Sequence, residues 1–99
     1  MDNSKIKSNI IFQKTISILI SHSAKKIAIF GSYARGEASS ESDLDILVEF
    51  SERKSLFDLV GIEMELNESL NLKVDLLTEK SISPYLIDTI KKEAIVIYG

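Results

Sequence analysis

The chain has 99 residues, 44% of them hydrophobic and 27% charged, with a net charge of −3. That is the composition of one ordinary globular domain with a modest core, and the acidic balance argues against non-specific nucleic-acid binding, which needs a basic surface. The sequence has no cysteine and a single histidine, His22, which excludes disulfides, cysteine-rich zinc sites and multi-histidine metal sites and makes a reducing cytoplasm the expected home.

The amino terminus lacks the shape of a signal peptide, and no apolar run is long enough to span a bilayer. From about Ser4 to Ser21 the pattern predicts a helix, with Ile6, Ile10, Ile16 and Ile20 near helical spacing and Phe12 and Leu19 widening the apolar face. Ser21-His22-Ser23 breaks it. Lys25-Lys26 precede a first strand, Ile27 to Phe30, whose lack of polar alternation suits burial on both faces. Gly31-Ser32 then turns the chain into a short helix, Ser32 to Arg35, which Gly36 ends. A serine-rich loop leads to a second strand from Leu44 to Phe50, with Asp43, Asp45, Leu47 and Glu49 on one face and Leu44, Ile46, Val48 and Phe50 on the other.

Leu56, Leu59, Val60, Ile62, Leu66 and Leu70 predict a helix from about Ser55 to Ser69, with Ser55 as N-cap and Asn71 as its stop. A third strand is expected from Leu72 to Thr78, with Lys73, Asp75 and Leu77 sharing a face. Ser83-Pro84 is a standard helix start, and Leu86, Ile87 and Ile90 give that helix its apolar side. Ala94 to Tyr98 reads as a short edge strand. Alternating helices and strands argue for an α/β (α+β) domain, a single unit over 1–99, with helices packed on a small sheet. The short link between the first two strands permits antiparallel pairing, and the helix between the second and third suits a parallel crossover. A mixed sheet is therefore expected.

Asp43, Asp45 and Asp75 carry the strongest chemical signal. A right-handed crossover lays the third strand beside the second, so three carboxylates can converge. Such a cluster repels itself unless a cation such as magnesium, which takes a few carboxylates and fills its other positions with water and phosphate oxygens, neutralises it. Alone, Asp-X-Asp is a short motif that acidic loops and strand ends often carry. Gly31 and Ser32 add a second feature, a turn at which the backbone can approach a phosphate, although by itself Gly-Ser is equally a plain strand-to-helix turn. Arg35, three residues after Ser32, has two readings: contact with a phosphate or nucleobase, or pairing with Glu37 or another acid. Tyr33 reads as a packing residue and His22 as a loop residue. Most lysines read as solvated surface; Lys73 stands apart because it shares the face of Asp75.

Gly31-Ser32, ten residues, then Asp43-Leu44-Asp45, with Asp75 on a later strand, resembles the signature of the DNA polymerase β-like nucleotidyltransferase superfamily. Gly31-Ser32-Tyr33-Ala34-Arg35-Gly36 and Ser42-Asp43-Leu44-Asp45 resemble its minimal nucleotidyltransferases (MNT) in particular, the MntA-type antitoxins of HEPN–MNT pairs, and the resemblance covers nearly the whole chain. It implies a mixed sheet flanked by helices. It also implies Mg2+-dependent transfer of a nucleoside monophosphate, AMP from ATP, to a hydroxyl of a partner, with two Mg2+ ions. Asp43, Asp45 and Asp75 would be catalytic metal ligands, and Gly31, Ser32 and Arg35 would bind the nucleotide. The implied partner is a helical HEPN-type ribonuclease toxin. Two other readings stand beside this one: an antitoxin acting by binding alone over a vestigial nucleotide site, and transfer to a small molecule. The first helix and the Ala94–Tyr98 strand are the expected docking surfaces.

Overall fold

The computed structural model describes residues 3–39 and 41–99, with side chains from 8 onward apart from 40. In chain order its elements are α1 (Asn3–Ser21), β1 (Ala24–Phe30), α2 (Ser32–Arg35), β2 (Leu44–Phe50), α3 (Leu56–Leu70), β3 (Val74–Leu77), a 3-10 turn (Glu79–Ser81), α4 (Pro84–Glu93) and β4 (Ile95–Tyr98). The strands form one mixed sheet in the order β3-β2-β1-β4. β1 pairs antiparallel with both β2 and β4, and β2 pairs parallel with β3. Link length thus decided strand direction, as the sequence predicts.

One face of the sheet holds the core. Ile27 and Ile29 of β1, Leu44, Ile46 and Val48 of β2, and Val74 of β3 are almost wholly buried, together with Leu19 of α1 and Leu66 of α3. Each such side chain contributes roughly 1.5–3 kcal/mol of hydrophobic stabilisation. Thr15 is a buried polar residue among them, and its Oγ1 donates to the Ile11 carbonyl at 2.8 Å, so its hydroxyl is satisfied within the helix. Ile11, Phe12 and Ile16 complete the packed side of α1. Ile10 and Ile20 instead face solvent, 50% and 43% exposed. The expected apolar stripe of α1 is therefore turned by about one residue, because β-branched residues occur all round this helix and spacing alone does not choose among them. Ile6, expected in the same stripe, lies outside the residues whose side chains are described.

Local signals set several boundaries. Ser55 caps α3 in a reciprocal capping box: its hydroxyl accepts from the Asp58 amide at 3.1 Å, and Asp58 Oδ2 accepts from the Ser55 amide at 2.9 Å. Ser55→Ala is expected to lower stability by about 1 kcal/mol in urea unfolding without changing the m-value. Asn71 ends α3 in the left-handed conformation with φ 53°, and Ser83 accepts from the Tyr85 amide ahead of Pro84. β1 begins earlier than expected, at Ala24, because an irregularity in the pairing between Ala24 and Lys26 lets both lysines reach solvent within the strand. β3 is shorter than expected. Its outer edge is closed by α3: Asn67 Oδ1 accepts from the Val74 amide at 2.6 Å, and Glu63 Oε2 accepts from the Leu76 amide at 2.9 Å. These two bonds satisfy an edge that would otherwise invite pairing, and they fix the strand that carries Asp75.

Candidate active site

The second face of the sheet carries the acidic residues. In the parallel pairing of β2 with β3, Asp45 stands directly beside Asp75. In the antiparallel pairing of β1 with β2, Asp45 is opposite Phe30, the residue before Gly31. Two registers therefore bring the Gly31 turn, Asp45 and Asp75 to one spot. Gly31 has φ 75° and ψ −153°, a conformation that essentially only glycine adopts. A Cβ built on it would lie 2.2 Å from Asp45 Oδ2. The Asp45 carboxylate occupies the space that any other residue at 31 would fill.

The electrostatics follow from that crowding. The pKa of Asp45 is pushed up to about 6, first by burial, then by the charge of Asp75 and its hydrogen bond, with smaller contributions from the charges of Asp43 and Glu93. Asp45 and Asp75 thus form a strained pair of like charges. Asp43 lies at the edge of this pair, with its Oδ2 3.6 Å from Lys73 Nζ and its side chain 42% exposed. The Leu44 amide donates to the Lys73 carbonyl at 2.9 Å, which ties the two segments together. Lys73, placed by alternation on the face of Asp75, therefore reaches Asp43. Among the described residues, no three acidic, histidine or cysteine side chains close tightly enough to enclose an ion; the tight element is the Asp45–Asp75 pair.

After Gly31 the chain enters α2. The amides of Ala34 and Arg35 donate to the Gly31 carbonyl at 3.0 and 3.2 Å. Those of Ser32 and Tyr33 lie in the first turn, where a helix offers no acceptor. Gly36 ends α2 with φ 72° in the left-handed region. Tyr33 packs edge-on against Phe12, ring centroids 6.3 Å apart, and burial raises its pKa. Arg35 pairs with two carboxylates: Glu37 Oε2 accepts from its Nε at 3.3 Å, and Glu93 Oε1 accepts from its Nη1. These bonds, that to Glu93 first, raise the pKa of its guanidinium. Glu93 is the residue that sequence reasoning missed. It lies 58 positions from Arg35, at the end of α4, and no local pattern announces it. His22 follows α1 in a turn and pairs with Glu65 at 2.9 Å. No helix among the described residues is long and apolar enough to cross a membrane.

Comparison with known proteins agrees with this geometry. The nucleotidyltransferase domain family matches residues 13–97. A relative from Methanocaldococcus jannaschii, provisionally named as a protein adenylyltransferase, is 54% identical over 87 residues, covering 88% of this chain and 94% of the relative. The protein adenylyltransferase MntA of Thermococcus cleftensis is 40% identical over 73 residues, 74% of each chain. Among solved structures, a toxin–antitoxin complex with AMP-PNP superposes with a TM-score of 0.80 at 26% identity, covering 89% of this chain and 73% of that one. Its fold is the mixed sheet with helices derived above. By family match, by close relatives and by fold, this chain belongs to the nucleotidyltransferase domain family, among the MntA-type protein adenylyltransferases, and is an enzyme of that type.

Proposed function

We propose that the chain transfers AMP from ATP, with Mg2+, to a side-chain hydroxyl of a helical HEPN-type toxin and thereby acts as its antitoxin. Nucleotidyl transfer within a toxin–antitoxin pair is the coarser statement that the relatives and the solved toxin–antitoxin complex support. The observation that carries the finer one is the Asp45–Asp75 pair beside the Gly31 turn. Two carboxylates in register on adjacent strands, one of them pushed up to about 6, repel each other at neutral pH, and a hard divalent cation is the ligand that relieves such repulsion. The donor set is all carboxylate oxygen, which suits magnesium better than a softer metal. Asp45 and Asp75 would hold it, and Asp43 would join them by exchanging Lys73 for the ion.

When bound, magnesium neutralises phosphate charge and lowers the pKa of an attacking oxygen. The protein's own groups do the rest. Gly31 lets the triphosphate approach the backbone, the Ser32 hydroxyl and the amides of Ser32 and Tyr33 donate to its oxygens, and Arg35 would join them only by giving up its bonds to Glu37 and Glu93. Asp75 takes the proton of the acceptor hydroxyl as its oxygen bonds to the α-phosphorus. The bond from that phosphorus to the β-phosphate oxygen breaks, and pyrophosphate leaves.

The test is intact-mass spectrometry of the protein encoded beside this chain, after incubation with ATP and magnesium. The expected result is a gain of one or more AMP groups that requires Asp43 and Asp45. Neutralisation of the neighbour with unshifted mass, unaffected by Asp43→Ala, would replace the enzymatic reading with one of binding alone.

A further inference from the structure

The sequence predicts one apolar stripe on α3, and the structure contains two. Leu59, Ile62, Leu66 and Leu70 pack on the sheet. Phe57, Val60 and Met64 point the other way, 90%, 48% and 61% exposed, and Leu56 at the start of the helix is 75% exposed. Phe57, Val60 and Met64 stand at i, i+3 and i+7, a seam of the kind that packs against another helix. None of the four is needed to fill the core, and an aromatic ring left this open beside other apolar side chains marks a contact surface.

The charge around the seam selects its occupant. α3 carries Asp58, Glu63, Glu65 and Glu68 and no lysine or arginine. Glu63 is turned to the β3 edge, while Asp58, which also accepts from the Ser55 amide, Glu65, which also pairs with His22, and Glu68 border the seam on one side at helical spacing, with Arg53 and Lys54 before its first turn. A second copy of the chain would set acidic borders against each other, and nucleic acid or an anionic membrane would be repelled. A helix with an apolar stripe flanked by lysine or arginine fits both the seam and its border.

We propose that the outer face of α3 is a docking surface for a basic amphipathic helix of the protein this chain modifies. This rests on the function proposed above and adds a place and a chemistry to it. The seam lies on the side of α3 away from the sheet, and Asp45 and Asp75 lie on the face of the sheet that α3 does not cover. The docked helix therefore anchors the partner without covering the carboxylates, and a separate segment of that partner must carry the hydroxyl round to the opposite face of the sheet.

The test uses the full chain and the protein encoded beside it. Binding is measured by calorimetry for the wild type, Phe57→Asp, Met64→Asp and Asp45→Asn, and AMP transfer by intact mass. The seam is exposed, so both seam variants should keep the wild-type melting temperature and magnesium–ATP affinity. They should lose about 10-fold or more in partner affinity, as truncation of an anchoring side chain does. Glu68→Lys should weaken the complex, and wild-type affinity should fall with salt. Asp45→Asn should bind the partner without modifying it. If both seam variants bind and modify the partner like the wild type, this docking surface is wrong and the enzymatic function stands. If the wild type neither binds nor modifies the neighbour, both fall. A wild type that dimerises in sedimentation and is made monomeric by Phe57→Asp would assign the seam to a second copy and overturn the proposal.

Discussion

Asp45→Asn will abolish AMP transfer and, at neutral pH, make the free protein more stable. Both effects come from one carboxylate. Burial and the neighbouring Asp75 push the pKa of Asp45 up to about 6, from 3.8 in an unperturbed side chain. A raised carboxyl pKa means that the folded state binds the proton more tightly than the unfolded state. The stabilisation from that proton is therefore fully present below about pH 4, is lost as pH rises through about 6, and is absent at neutral pH, where the ionised pair repels. Asparagine has the same shape and no charge to lose. After allowance for the water that reaches a partly exposed side chain, the gain should be on the order of 1 kcal/mol near pH 8 and should shrink towards zero as pH falls to about 4. Urea unfolding of both proteins across that range measures it. Transfer should fall by about 100-fold or more, since the proposed reaction centre loses an electrostatic partner. A variant that is destabilised at pH 8, or whose stability gap does not close on acidification, would mean that Asp45 is held by favourable structural bonds. The same residue would then have no reason to attract a cation.

The placement behind these opposed effects is legible in part in the sequence alone. Spacing put Asp43 and Asp45 on one face of a strand, and the crossover rule put Asp75 on the neighbouring strand; the sheet order β3-β2-β1-β4 sets Asp45 and Asp75 side by side. Capping residues were equally legible because their signals are local: Ser55, Asn71 and Ser83-Pro84 act within one turn. What sequence could not supply was long-range or two-sided. The Glu93 bond to Arg35 joins residues 58 apart. No local pattern marks Glu63 and Asn67, yet they satisfy the β3 edge. On α3, a count of apolar residues at helical spacing merged two faces into one, because Leu56 and Val60 fit the periodicity of the buried stripe nearly as well as that of the exposed one. Asp43 shows the same limit: alternation predicts its face, but its pairing with Lys73 depends on where β3 begins.

Gly31→Ala will cost more stability than Gly36→Ala and, unlike it, will stop transfer. Both glycines have positive φ, 75° and 72°, so both substitutions strain the backbone. Their surroundings differ. A Cβ at 36 meets nothing within 4 Å, whereas one at 31 lies 2.2 Å from Asp45 Oδ2. Gly36→Ala should therefore cost only the backbone term, about 1 kcal/mol for an alanine in the left-handed region, and should leave AMP transfer within about two-fold of wild type. Gly31→Ala adds a steric term, because the new methyl must expel the carboxylate or the turn must open. A total of roughly 2–4 kcal/mol is expected, from a glycine-only backbone conformation plus overpacking against Asp45. The two contributions can be separated in a double-mutant cycle. Asp45→Ala removes the atoms that the methyl would strike, so Gly31→Ala made in that background should cost about 1 kcal/mol less than in the wild type. Strict additivity in the cycle would mean that Gly31 is required by its backbone alone. The close approach of the turn to Asp45, and with it the shared site proposed for a cation and a triphosphate, would then have no energetic support.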